Sequence, residues 1–281
     1  MKTVKQYITS LYESDLPEIL KKYPGLKLSR LLDEYCFYSS KFSHEYLPGL
    51  ESEFSSKIFK GIPLEYISKN SFFYRSNFFV DKRVLIPRSE TEILVENSIE
   101  YIKKNHHDNF KVAEIGVGSF ALGLSILCDI SKRVYFWGGD IDPCALEVAH
   151  INLFKLRSKI NPKTKVKLAL SDRLGAVDEK FDFIVSNPPY IKEKQDKAGV
   201  HPQTDKFEPH IALYLPDESY DHWFADFFSQ VSEKLCAKGA FFMEGHEDSL
   251  SHLQKIGLKY FSKVLVKKDY TGRDRFLQAY K

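Results

Sequence analysis

Apolar and polar positions recur with two different periods along this chain, and the change of period divides it. Residues 1 to about 62 carry helical spacing only. In "KLSRLLDEYCFYSSKF", Leu28, Leu31, Leu32 and Tyr35 fall on one face, and "LPEILKKYPG" runs into a Pro-Gly break. From Pro63 to Pro87 the texture shifts to aromatic and β-branched residues, with polar breaks at 68–70 and 75–77. That pattern predicts a β-hairpin joining two parts of the chain.

Beyond residue 88 the two periods alternate. "SETEILVENSIEYIKK" reads as a helix, "KVAEIG" as a strand, "SFALGLSILCDI" as a helix and "KRVYFWGGD" as a strand. "PCALEVAHINLFKLR" predicts a helix that starts on Pro143, and "KVKLALSD" and "FDFIVSN" predict two further strands. "SYDHWFADFFSQVSEKLCAKG" predicts a helix with Phe224, Phe227, Phe228, Val231 and Leu235 on one face, stopping at Lys238-Gly239 before a strand, "AFFMEG". The tail holds two strand-like runs, "FSKVLVKK" and "DRFLQAY", set apart by Tyr-Thr-Gly as in a hairpin. Strands alternating with helices specify an α/β class with a mostly parallel sheet covered on both faces.

Composition narrows the function. The 281 residues suffice for one large and one small domain, and 43% hydrophobic residues is ordinary for a globular core. No apolar run reaches bilayer length, and "MKTVKQYITSLYESDLPEIL" lacks the apolar stretch of a signal peptide. Cys36, Cys128, Cys144 and Cys236 are scattered, which suits a reducing cytoplasm and argues against a zinc site or disulfide framework. A formal net charge of +3 is too mild to imply a nucleic-acid partner. His106-His107 is expected as a solvated helix cap, and His201, His210 and His246 lack metal-ligand spacing.

Three stretches carry candidate chemistry. "AEIGVGSFALG" (113–123) follows a strand and opens a helix, so its glycines let backbone approach a ligand and the helix start offers free N–H groups. The next strand ends in "WGGDIDP", where Asp140 is placed to accept from ribose hydroxyls; a tight turn with no ligand is the competing reading. Asp172 in "SD" is either an acceptor for an adenine amine or a helix N-cap. The third is "SNPPYI" (186–191). Two prolines without N–H groups leave Asn187, Pro188 and Pro189 displaying carbonyl oxygens and one side-chain amide in a stiff loop. Such a loop accepts both protons of a planar NH₂ group, which favours a pyramidal nitrogen, and Tyr190 is placed to stack on a flat group.

In this order, glycine turn, acidic residue and Asn-Pro-Pro-Tyr resemble an S-adenosylmethionine-dependent methyltransferase acting on a planar nitrogen. Four further stretches sharpen the likeness. "PLEYI" (63–67), "LIPRSETEILVE" (85–96), "DKFEPHIAL" (205–213) and "YTGRDRFLQA" (270–279) resemble segments of the PrmC/HemK family, the glutamine-N5 methyltransferases of peptide chain release factors. The likeness covers residues 63–281 in register; residues 1–62 match only as a short helical domain.

The resemblance implies a Rossmann-like seven-stranded methyltransferase domain (88–281), a β-hairpin linker (63–87) and a helical substrate-binding domain (1–62). It implies S-adenosylmethionine bound by Glu114, Gly116, Val117, Gly118, Asp140, Ile141, Asp172, Arg173 and Asn187. The catalytic loop would be Asn187, Pro188, Pro189 and Tyr190, with the substrate also touching Arg88, Glu90 and Thr91. The partners would be release factors, with no metal and no membrane. The sequence departs from the family at Glu114 for aspartate, Phe120 for the last glycine of the turn and Ser89 for proline. "YLPDESY" stands where a Gly-Gly-x-x-Gly run is usual, and Gly138-Gly139 is expected to loosen the strand end. Phe120 either points into the core or narrows the cofactor pocket. Two other readings remain open here: an adenine or guanine amine methyltransferase of nucleic acid, and a protein-binding module with an impaired cofactor pocket.

Overall fold

A computed structural model describes residues 4–40, 49–106 and 108–281. Five helices open the chain: α1 (Val4–Ser14), α2 (Leu16–Lys22), α3 (Leu28–Ser39), α4 (Leu50–Phe59) and α5 (Leu64–Ser68). They enclose a core of their own built on Ile8, Ile19, Leu31, Tyr35, Phe54 and Ile58. The predicted hairpin is only partly a hairpin. Leu64 and Ile67 are drawn into the N-terminal helical core, so residues 64–68 coil as α5. The strands are then just β1 (Ser71–Phe73) and β2 (Ser76–Phe78), turning at Tyr74 with φ 53°. Residues 79–90 follow without regular structure and become a wall of the site described below.

The remaining chain gives α6 (Thr91–Asn105), β3 (Phe110–Ile115), α7 (Ala121–Asp129), β4 (Val134–Asp140), α8 (Pro143–Leu156), β5 (Lys165–Leu170) and β6 (Phe181–Ser186). Then come β7 (Ile191–Lys192), α9 (Pro202–Phe207), β8 (Tyr214–Leu215), α10 (Tyr220–Lys234), β9 (Leu235–Glu244), α11 (Glu247–Gly257), β10 (Lys263–Lys268) and β11 (Asp274–Tyr280). Seven strands form one sheet in the order β10-β11-β9-β6-β3-β4-β5. The pairs among β5, β4, β3, β6 and β9 are parallel, and β11 is antiparallel to both β9 and β10. From β3 the chain builds outward first to β4 and β5, then returns to the other side as β6. The carboxyl ends of β3, β4 and β6 therefore flank the point where an open sheet binds ligands.

Side-chain alternation and one irregularity explain the layering. On β6, Phe183 and Val185 face α6 and α7 and Ile184 between them faces α10 and α11; Phe181 joins Ile184 because the register shifts between Phe181 and Phe183. Helix α10 ends earlier than its pattern predicts. It stops at Lys234, and Leu235–Gly239 already belongs to β9, because Leu235 pairs with Phe181. Lys238 takes φ 68° where the register shifts, which is a bulge rather than a helix stop. Helix α11 has no counterpart in the sequence reading. The two glycines ending β4 do not loosen it: both keep their register with β3 and β5. A Cβ on Gly139 would stand 2.2 Å from the Trp137 ring, and one on Gly138 would stand 2.7 Å from Val117 Cγ1. Their smallness is what lets the strand pack. His106 does cap α6, its N–H donating to the Ile102 carbonyl at 3.1 Å, but it is not solvated: its half-buried ring stacks on Phe110 at 5.1 Å and 11°; His107 lies outside the described residues.

Candidate active site

The site is a cleft of about 250 Å³ at the carboxyl ends of β3, β4 and β6. Its floor is the turn after β3. Gly116 and Gly118 hold φ of 71° and 50°, and a Cβ added to either would meet nothing within 4 Å. Bare backbone therefore faces open space, as a ligand cradle requires. Gly116 and Val117 donate their N–H groups to the Gly139 carbonyl at 2.8 and 3.1 Å, which seats the turn on β4.

Asp140 closes that turn. Its Oδ2 accepts from Gly118 N at 2.8 Å and its Oδ1 from Asp142 N at 3.0 Å. Burial pushes its carboxyl above the usual range, and these backbone N–H groups pull back against it. Ile141, about half exposed, offers apolar surface beside it. Asp172 lines the cleft from the turn after β5; its carboxylate faces Arg173 and caps no helix. Arg173, in the left-handed region at φ 50°, pairs with Asp226 at 2.6 Å and lies over the Trp223 ring at 5.4 Å.

Glu114 behaves differently from the other cofactor candidates. Its residue lines the cleft, but its carboxyl is fully buried, turned under α7 beside Gly123. Burial raises it well above the ordinary carboxylate value, opposed by a bond from the Gly123 backbone and reinforced by Asp140. Phe120 takes a left-handed conformation, φ 62° and ψ 22°, that glycine adopts most readily, and its ring is wholly buried against Phe136 at 5.3 Å. The ring goes into the core, and Ser119 and Ala121 line the cleft on either side of it in sequence.

At the end of β6 the Asn-Pro-Pro-Tyr loop separates this cleft from a second cavity of about 260 Å³. Asn187, Pro188, Leu85 and Ala212 line both. Ser186 anchors the loop, donating its hydroxyl to the Ile115 carbonyl at 2.8 Å. Asn187 Nδ2 donates to Thr91 Oγ1 at 3.3 Å. Among the described residues, neither Asn187 Oδ1 nor the Pro188 carbonyl receives a hydrogen bond. Tyr190 borders the second cavity only; its hydroxyl donates to Glu244 at 2.9 Å, and its backbone carbonyl accepts from Tyr220. Burial holds the Tyr190 phenol well above its usual value.

The residues before α6 divide. Thr91 is buried in the cleft wall, and Arg88 borders the second cavity. Glu90 is exposed, lines neither cavity and bonds Ser89. The sequence reading passed over two buried carboxylates. Glu208 binds Arg88 at 2.5 Å and the Ile86 N–H at 3.0 Å, and so explains why two stretches 120 residues apart in sequence both matter. Glu244 receives both Thr91 and Tyr190. A lone glutamate ending an apolar strand has no local signature; its only signal was that it is charged in such a run. Among the described residues no cluster of histidine, cysteine, aspartate and glutamate could hold a metal, and no helix is long and apolar enough to cross a membrane.

Comparison with known proteins agrees with this geometry. The family described as Methyltransferase small domain matches residues 89–203. The release factor glutamine methyltransferase of Clostridium acetobutylicum is 34% identical over 225 residues, 78% of this chain and 75% of that protein. Its counterpart in Bacillus cereus is 31% identical over 232 residues, 81% of this chain and 80% of that protein. A T. thermophilus 16S rRNA methyltransferase, solved with AdoMet and guanosine, superposes with a TM-score of 0.52 at 16% identity. That likeness covers 75% of this chain and 49% of the other, and is one of fold.

Proposed function

The chain belongs to the release factor glutamine methyltransferase family, and from that premise we propose that it methylates the side-chain amide nitrogen of the glutamine in the Gly-Gly-Gln motif of peptide chain release factors, with S-adenosylmethionine as donor. The observation that carries this reading is the pair of free acceptors, Asn187 Oδ1 and the Pro188 carbonyl, at the boundary of two cavities. A methyl donor belongs on one side of such a boundary and an amide on the other.

The cleft fits the donor. Bare glycine backbone at Gly116 and Gly118 leaves room along the turn. Among the cleft's lining residues, Asp140 would accept from ribose hydroxyls, Ile141 would offer apolar surface to the adenine, and Asp172 would accept from its amine. When bound, S-adenosylmethionine supplies an electrophilic methyl group on a positively charged sulfur. Everything else falls to the chain. Asn187 Oδ1 and the Pro188 carbonyl accept the two amide protons, which favours a pyramidal nitrogen over the planar, delocalised one. Tyr190, locked by Glu244, walls the amide so that its nitrogen faces the cleft. No side chain is needed as a base, since the methylated amide sheds one proton to water. Orientation supplies most of the rate.

The helical residues 1–62 serve in this reading to hold a protein rather than a small molecule, and residues 63–87 join them to the transfer unit, 88–281. The four cysteines are free, as a reducing cytoplasm would leave them. The test is to incubate the protein with S-adenosylmethionine and an unmethylated release factor, then sequence the Gly-Gly-Gln peptide by mass spectrometry. One added methyl on the glutamine supports the reading. A methyl acquired instead by adenine or guanine in an added nucleic acid would overturn it.

A further inference from the structure

Glu244 is the last residue of β9, is 1% exposed, and touches neither cavity. A buried carboxylate is expensive unless its oxygens are matched. Here Oε2 accepts from Thr91 Oγ1 at 2.6 Å and Oε1 from the Tyr190 hydroxyl at 2.9 Å. An ionised carboxylate can only accept, so both hydroxyls must donate to it. Thr91 has a single hydroxyl proton. With that proton committed to Glu244, Oγ1 can only accept from the third partner, Asn187 Nδ2, at 3.3 Å. The Asn187 amide is thereby fixed with its NH₂ toward Thr91 and its oxygen away from it.

Resting on the function proposed above, we propose that Glu244 is a positioning residue that sets the polarity of the Asn187 amide through the Thr91 hydroxyl. Reversing that polarity would turn the Asn187 NH₂ toward a substrate that is itself an NH₂ group, replacing an acceptor with a second donor. Burial raises the Glu244 carboxyl and Glu90 adds to that, against the bonds from Thr91 and Tyr190 and the charge of Arg275. Two hydroxyls converge on its oxygens, which a purely apolar brace between β9 and α6 would not need.

The substitution Glu244→Gln keeps shape and volume but removes the acceptor-only rule: a glutamine NH₂ can donate to Thr91, whose proton then turns to Asn187 Oδ1. The expected result is a kcat about 100-fold lower with KM and cofactor affinity within about twofold. Thr91→Val cuts the relay, so adding Glu244→Gln to Thr91→Val should change kcat no further. A brace that merely supports the fold would give additive losses and a lower melting temperature. A readout free of turnover is the Asn187 side-chain pair in nitrogen–proton correlation spectra, assigned by its loss in Asn187→Asp. Glu244→Gln should shift it in the wild-type background and leave it in place with Thr91→Val. Wild-type kcat in Glu244→Gln, additive losses, or an unmoved Asn187 pair would each overturn the inference. Because methylation by the unsubstituted protein is measured in the same series, failure of the relay is distinguishable from failure of the function.

Discussion

The Phe120 ring occupies the space that a side chain on Gly123 would need: a Cβ there would stand 2.4 Å from Phe120 Cε2 and 2.2 Å from Glu114 Oε2. The absence of a side chain at Gly123 in α7 makes room for the ring, which packs on Phe136 in the core below the cleft. Left-handed backbone costs a non-glycine residue about 1–2 kcal/mol. Phe120→Ala keeps that strain and loses the ring, a loss of about 3–5 kcal/mol. Phe120→Gly loses the ring but relieves the strain, so urea denaturation should find it about 1 kcal/mol more stable than Phe120→Ala. The usual order, alanine above glycine, would refute the strained conformation.

Glu114 makes stability depend on pH. Its folded carboxyl is raised well above its unfolded value by burial. The folded state therefore keeps a proton where the unfolded chain has lost it. Stability from this group is present below the ordinary carboxylate range and declines as pH rises through the raised value. Glu114→Gln should remove that decline and gain on the wild type progressively toward neutral pH. Parallel stability curves for the two proteins would contradict a raised Glu114.

Arg88 holds Glu208, whose side chain is 2% exposed. Arg88 is about a third exposed, so water screens part of the pair, but its removal leaves the buried Glu208 carboxylate with the Ile86 N–H alone. Arg88→Ala should cost about 2 kcal/mol in urea denaturation. A cost below about 1 kcal/mol would mean that the Ile86 N–H alone suffices for Glu208.

The parallel sheet was legible because its strands are short apolar runs separated by helical periods, and the tail hairpin because its turn falls at Tyr-Thr-Gly. Helix α11 was readable in principle, since Leu250, Leu253 and Ile256 are buried at near-helical spacing. The early end of α10 was not: "AKG" looks like a helix stop, and only pairing of Leu235 with Phe181 makes it a strand bulge. The first part of the presumed hairpin coils because Leu64 and Ile67 answer to a core that local texture does not reveal. In the site, backbone features were legible, as glycines and prolines state their geometry. The supporting carboxylates were not, because Thr91 and Glu244 are 153 residues apart. The side chosen by Phe120 depended on the room left by Gly123 and on Phe136, which lies on the next strand outside the quoted turn.

The central claim is that Asn187 presents an acceptor to the substrate amide. The direct measurement is single-turnover methyl transfer to an unmethylated release factor by Asn187→Ala, with cofactor affinity measured by calorimetry on the same sample. The account predicts unchanged cofactor affinity and transfer slowed by about 100-fold or more. Transfer at the wild-type rate would contradict it.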